Sequence, residues 1–273
     1  MQIFLTGATG FLGKNFLNLA LKNKYKIFAL TRKKKKLKKN KNLIWLHGSL
    51  EDNWFKELKR SKILVHFAAA GVADDDPVKT YDTNIFKSQN LLETAIKAKC
   101  KRWVIISSSA EYGNSNKKKY FSKTTNRLPN TNYGLSKAIF SDVCADLSFK
   151  NNCKARIMKL FFVYGRGENK KRLYPSLIHS INKKKNFYLK NPYETRDFSN
   201  VNFVSKSILD ALKFEKNKFK NSQIWHISEG KQKLIKDFAM SVIRNKKSSI
   251  NLIYKKQKKT FNHISDKKSL WKI

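Results

Sequence analysis

The sequence predicts an α/β protein built on a doubly wound parallel sheet, with a small C-terminal α/β cap for substrate. Three observations predict it. Short apolar runs alternate with longer stretches whose apolar residues recur at helical spacing, as in βαβ units. Gly7, Gly10 and Gly13 stand between the first such run and the first helical stretch. The alternation is regular to about residue 165 and weakens beyond it. Residues 1–165 are therefore expected to bind a dinucleotide, with 166–273 forming a smaller cap interleaved with them.

Each element follows in order. "QIFLTG" (2–7) is a buried strand and "FLGKNFLNLALKN" (11–23) a helix. "KIFALT" (26–31) and "NLIWLHG" (42–48) are strands. "WFKELKR" (54–60) is a short helix and "ILVHFAAA" (63–70) a fourth strand. A long helix runs from Pro77, a good first-turn residue, to Lys99. The acidic run "ADDDP" (73–77) precedes it and is read as a solvated loop in which Asp76 or a neighbour caps the helix. "RWVIISSS" (102–109) is the fifth strand, "YGLSKAIFSDVCADLSFKN" (133–151) a helix and "ARIMKLFFVYG" (155–165) the sixth strand. In the cap, 173–185, 203–216 and 234–247 are expected helices, and "NFYLK" (186–190) and "QIWHIS" (223–228) strands. Right-handed crossovers then set the topology.

The glycines read as a phosphate loop. Gly7 allows a tight turn, Gly10 lets the backbone approach a pyrophosphate, and Gly13 lets the helix pack close to the strand. The helix N-terminus adds amide donors. This is a Rossmann-like arrangement. An acidic residue ending the second strand would bind the ribose 2′-hydroxyl of NAD. Here Thr31-Arg32 and then lysines stand instead. A guanidinium suits a 2′-phosphate, so NADP is expected, with NAD as the alternative. Arg32 to Lys41 reads as a mobile basic loop.

"YGLSK" places Tyr133 and Lys137 four apart on one helix face. A neighbouring ammonium would lower the phenol from its usual ~10. Tyr133 could then exchange a proton with a substrate oxygen.

Together these motifs resemble those of the extended short-chain dehydrogenase/reductases, in the NAD(P)-dependent nucleotide-sugar epimerase/dehydratase family, over nearly the whole chain. "TGATGFLG" is similar to the family's TGxxGxxG, "VHFAAAG" to its fourth-strand motif, "SSSAEYG" to its SSxxVYG and "YGLSK" to its YxxxK. "YDTNIFKSQNLLETA", "LFFVYGRGE" and "ETRDFSNVNFVSKSI" resemble three further family lines. The resemblance implies hydride transfer at a sugar carbon, with Tyr133 transferring the proton, Lys137 tuning it and holding the ribose, and Ser108 contacting the oxygen. In the family the active hydroxyl stands four residues before the Tyr of the VYG element, so the resemblance implies Ser108, counting back from Tyr112; Ser109 would face the substrate. Asn84 takes the place of a structural and catalytic Asn and would support Lys137. The implied cofactor contacts are Gly7, Thr9, Gly10, Phe11, Leu12, Gly13, Arg32, Ser49, Leu50, Ala68, Ala69, Tyr133 and Lys137. Arg196 would contact the substrate diphosphate. A homodimer through the central and YxxxK helices, burying "LLETAI" and "FSDVCA", is also implied.

Departures narrow the activity. Family 4,6-dehydratases carry Asp-Glu directly after the active hydroxyl; this chain has Ser109 and Ala110. Fucose-type epimerase-reductases use a Cys at the position of Ser109 together with a His, and His179 is read as a plain helix residue. Glu111 is read as a strand-end residue, not a catalytic acid. Lys159 and Phe162 replace the family's usual Arg and Asn, and Ser49 replaces the usual Asp. "ISDKKSLWKI" resembles the line that precedes a last family helix.

Composition excludes other classes. The net charge is +40, but only nine of the 59 basic residues are Arg. Nucleic-acid readers lean on the planar Arg fork. Lysines spread along the chain read as solvated surface that also attracts anionic nucleotides. Three cysteines without a CxxC indicate neither disulfides nor zinc, and no metal site is expected. Neither a membrane-length apolar run nor a signal peptide is found, so a cytoplasmic protein is expected. The function expected is an NADPH-dependent reductase of a nucleotide-linked 4-keto-6-deoxy sugar. The alternatives are an NAD-dependent nucleotide-sugar 4-epimerase and, remotely, a silent dinucleotide-binding module that docks on nucleic acid.

Overall fold

A computed structural model describes residues 1–33, 37, 39–71, 76–113, 120–214, 221–255, 260–261 and 264–271. The elements are β1 Gln2–Thr6, α1 Phe11–Lys22, β2 Lys26–Thr31, β3 Leu43–His47, α2 Phe55–Arg60, β4 Ile63–His66 and α3 Pro77–Tyr81. A π-helical turn, Asp82–Phe86, leads into α4 Lys87–Lys97. Then come β5 Arg102–Ser108, a 3₁₀ turn Ser109–Tyr112, β6 Tyr120–Phe121, α5 Asn132–Lys150, β7 Lys154–Leu160, β8 Phe162–Tyr164 and α6 Leu173–Asn182. The chain continues through β9 Phe187–Tyr188, β10 Glu194–Asn200, α7 Val201–Asp210, β11 Ser222–Ile227, β12 Gln232–Leu234 and α8 Ile235–Asn245. It closes with β13 Leu252–Ile253, β14 Thr260–Phe261 and β15 Ile264–Ser265.

Seven parallel strands run in the order β11-β7-β5-β4-β1-β2-β3. Their near-continuous apolar runs reflect burial on both faces. Ile3, Leu5, Ile27, Val65, Val104 and Met158 pack on α1 and α7. Phe4, Leu64, Trp103, Ile105 and Ile157 pack on the α2, α4 and α5 side. The order reverses between β1 and β4, and ligands of open α/β sheets bind outside the carboxyl ends of the strands at such a point. The loop after β1 and the segment Phe67–Ala68 after β4 meet there.

One correction concerns the cap. "QIWHIS" and the helix before it do not belong to it. β11 is the edge strand of the main sheet, in parallel register with β7 from Ser222–Ala155 to Ile227–Leu160. Val204 and Ile208 of α7 join the core beneath α1. A second, smaller core remains, in which Phe198 of β10 stacks on Phe238 of α8 at 3.9 Å beside Leu177, Leu189, Ile235 and Val242.

The stretches expected to pair two copies are partly used by the chain itself. Leu91, Leu92, Ala95, Phe140 and Cys144 are spent on the chain's own core. The exposed large apolar residues of those helices are Val78, Phe86, Leu135, Ile139 and Phe149. The three cysteines are free and buried. No helix among the described residues is long and apolar enough to cross a membrane, and no cluster of described side chains could hold a metal. Asp76 caps α3, accepting from Lys79 N at 3.2 Å. Asp74 and Asp75 of the acidic run, and residues 34–36 and 38 of the basic loop, lie outside the described residues.

Candidate active site

The loop between β1 and α1 has the geometry its glycines require. Gly7 sits at φ +66, and a Cβ there would come within 2.7 Å of Ala68 N. A Cβ on Gly13 would come within 2.2 Å of Gly7 O, so α1 packs directly on the turn. Gly10 N donates to Gly7 O at 3.0 Å. Gly10 is the N-cap of α1, with no side-chain cap and no acidic residue in the first turn. The amides of Phe11 and Leu12 are thus available to an anion. A Cβ on Gly10 would meet only Gly7 O, at 3.3 Å, leaving room for a close-lying phosphate. This donor set fits the pyrophosphate of a dinucleotide.

The flanking contacts are distributed unevenly. Thr6 Oγ1 accepts from Ala68 N at 3.2 Å and pairs with His66 Nδ1 at 2.9 Å, so the ends of β1 and β4 are locked together. Ala68 and Ala69 follow β4 on this side, and Thr9 belongs to the loop itself. Arg32 is exposed at the end of β2, where a ribose would lie. Ser49 is held by its backbone, donating to Asp52 and accepting from Trp54 Nε1 at 2.8 and 2.7 Å. Leu50 is turned into the core.

Ser108, Tyr133 and Lys137 converge. Thr131 caps α5 through Gly134 N at 3.0 Å, which sets Tyr133 in the first turn and Lys137 one turn on. The Ser108 hydroxyl accepts from Ala110 N at 3.1 Å and hydrogen-bonds the Tyr133 side chain. The expected lowering of the phenol by Lys137 is not what the structure gives. Burial dominates and pushes Tyr133 up to about 12, Glu111 adds to the rise, and Ser108 and Arg172 oppose it. Lys137 is pushed down to about 8 by burial, with Glu111 opposing. Asn84 is buried. Its amide binds Ala70 N and O at 2.8 and 3.1 Å and Ser136 Oγ at 2.9 Å. It braces the exit of β4 against α5 beside Lys137, from a π turn that opens the helix there. Ser109, expected to face substrate, is buried in the 3₁₀ turn.

Sequence reasoning missed a buried polar cluster behind these residues. Glu111, fully buried, accepts hydrogen bonds from the Ser107 and Ser141 hydroxyls, the latter at 2.8 Å. Its other oxygen pairs with Lys159 at 3.1 Å and Arg127 at 3.3 Å. Lys159 reaches Tyr112 Oη at 3.3 Å. Tyr112 Oη meets His226 Nε2 at 2.7 Å, and His226 Nδ1 meets Ser265 Oγ at 2.8 Å. The only signal was a paired departure, a Glu at 111 and a Lys in place of the family's usual Arg at 159.

His66 and His226 are both buried, and desolvation pushes each from 6.5 down to about 3. Their folded values lie below the unfolded ones, so the unfolded chain binds more protons between those limits and stability falls as pH falls through that window. The urea midpoint is expected to drop below pH 6.5, with unfolding taking up close to two protons, and His66→Asn to halve that slope. A midpoint flat from pH 6.5 to 4 would contradict this.

Arg196 lies on β10, paired with Glu194 at 2.8 Å and stacked 4.2 Å over Phe162. It lines a cavity of about 210 Å³ with Tyr164, Glu168, Arg172, Tyr174 and Phe238. His179 is exposed on α6.

Residues 3–226 match the family profile described as "NAD dependent epimerase/dehydratase family". A UDP-glucose 4-epimerase of Vibrio cholerae is 32% identical over 191 residues, 67% of this chain and 57% of that protein. A GDP-6-deoxy-D-talose 4-dehydrogenase of Aggregatibacter actinomycetemcomitans is 26% identical, covering 74% of this chain and 67% of its own. The matched stretch thus spans a little over half to two-thirds of these relatives. Among solved structures, a UDP-glucuronic acid 4-epimerase of Bacillus cereus in complex with NAD superposes with a TM-score of 0.84 at 23% identity. That match covers 99% of this chain and 92% of the other, and it establishes the shared fold.

Proposed function

This chain belongs to the NAD dependent epimerase/dehydratase family, and from that premise we propose that it is an NAD(P)-dependent nucleotide-sugar oxidoreductase, a reductase of a nucleoside-diphosphate 4-keto-6-deoxy sugar. The carrying observation is the Ser108–Tyr133 hydroxyl pair at the mouth of the sheet that holds the phosphate loop. Ser109 and Ala110 occupy the positions where family dehydratases keep two carboxylates. Position 4 is the site named for both curated relatives described above.

When bound, the dinucleotide supplies the hydride. Tyr133, raised to about 12, stays protonated near neutral pH and gives its proton to the oxygen as the carbonyl carbon is reduced. Ser108 donates a hydrogen bond to the same oxygen. Lys137, about 8, is largely an ammonium at pH 7 and stabilises the phenolate left behind. Arg196 suits the diphosphate. Arg32, and the lack of a carboxylate after β2, favour NADP.

A second reading, a 4-epimerase holding NAD, is favoured by the Vibrio relative and by the NAD in the Bacillus structure. The deciding experiment is mass spectrometry of the purified protein for bound dinucleotide, followed by a nucleotide-sugar panel with NADPH and NADH. One NADPH oxidised per sugar is expected. Sugar interconversion on bound NAD without net oxidation would replace the reductase by the epimerase. No turnover and no dinucleotide binding would remove both. The reading includes a homodimer through the face carrying Val78, Phe86, Leu135 and Ile139; a monomer in sedimentation equilibrium would exclude it.

A further inference from the structure

We propose that Glu168 is a specificity-determining residue that accepts a hydrogen bond from a ring hydroxyl of the sugar, so that the site selects sugar conjugates over the bare nucleoside diphosphate; this rests on the nucleotide-sugar reading. The cavity beside β8 and β10 measures about 210 Å³. Whole small-molecule sites run to ~300–1,000 Å³, so this one takes a single end of a ligand. Lys171, Arg172 and Arg196 make its lining cationic, and Glu168 is the one carboxylate among its described lining residues.

The Glu168 side chain is 8% exposed. Oε1 meets Arg172 Nε at 3.3 Å, and the Gly165 backbone N–H approaches the carboxylate. Oε2 is buried and has no hydrogen-bond partner among the described residues. A buried orphan acceptor is costly until a donor reaches it. A diphosphate cannot supply that donor, since anion would face anion. A sugar hydroxyl can.

Position selects the sugar end. The charge of Arg172, the partner of Glu168, bears on the Tyr133 phenol, so the pair and the group that moves the proton share one electrostatic neighbourhood. The preceding loop is tied to the N-terminus of α1, where Asn15 Nδ2 donates to Arg166 O at 3.1 Å. Glu168 thus lies on a loop tied to the N-terminal part of α1, next to an arginine whose charge bears on Tyr133. Cations around it take the diphosphate, and its free oxygen is left for the ring.

The test is calorimetric titration of the full chain with UDP, dTDP, GDP and CDP and with the glucose or mannose conjugate of each. Glu168→Leu, of similar size but without an acceptor, is expected to weaken the conjugate that the wild type prefers by about ten- to a hundredfold. The matching diphosphate should bind unchanged or more tightly. Glu168→Gln, keeping one amide oxygen, should fall between and serves if the Leu variant does not fold. Equal loss for conjugate and diphosphate, or no loss for the conjugate, would overturn the assignment. A wild type that binds no conjugate at all would instead overturn the nucleotide-sugar reading beneath it.

Discussion

Tyr133→Phe is expected to lower kcat by about 10²–10⁴-fold, the usual range for losing a positioned general acid, while dinucleotide affinity stays within about threefold of wild type. The ring is held by the first turn of α5, and phenylalanine keeps that packing. What disappears is the hydroxyl that bonds Ser108, and with it the proton for the substrate oxygen. Burial raises this phenol to about 12, so in the wild type the acid form persists through the neutral range. Steady-state turnover on the accepted nucleotide sugar, with NAD(P)H fluorescence titration, separates the two effects. Turnover close to wild type would end the mechanism; loss of dinucleotide binding alone would make Tyr133 a cofactor contact instead.

Glu111→Leu is expected to cost about 3–5 kcal/mol, because it leaves the Lys159 ammonium buried without its carboxylate. Both side chains are essentially inaccessible, at 0% and 1%. Arg127 keeps its bidentate pair with Asp142 at 2.7 Å, so the loss falls on Lys159, Ser107 and Ser141. Burial already lowers Lys159 and Glu111 holds it up. In the variant its folded value drops further below the unfolded one. The unfolded state then binds more protons between the two values, so the deficit shrinks as pH rises through that window. Urea unfolding from pH 6 to 9 tests both size and slope. The double variant Glu111→Leu/Lys159→Met should recover most of the loss, since a buried pair replaced by apolar side chains of similar volume is often neutral. A loss under about 1 kcal/mol in the single variant would show that the cluster does not brace β5 against α5 and β7.

The legible parts of this chain were those encoded locally. Parallel strands buried on both faces read as unbroken apolar runs, so β1, β2, β4, β5 and β7 could be placed from sequence. Gly7 and Gly13 announced themselves because a turn at φ +66 and a 2.2 Å approach exclude other side chains. β11 was misplaced because its pattern, "SQIWHI", mixes polar and apolar residues. Pairing with β7 brings it into the main sheet, and no local feature states which strand will be its neighbour. Glu111, read as a strand-end residue, gave no local sign of its partners for the same reason: Lys159 and Arg127 arrive from elsewhere in the chain.

The sequence by itself determined the doubly wound sheet, the glycine turn between β1 and α1 and the placement of Tyr133 and Lys137 one turn apart on a single helix, since each depends on spacing within one strand, turn or helix. Only the tertiary structure decided the sense of the Tyr133 shift, the partners of Asn84, the buried pairing of Glu111 with Lys159 and the free oxygen of Glu168. Desolvation and ion pairing depend on what surrounds a group in space. Those surroundings come from segments far apart along the chain, so spacing alone does not carry them.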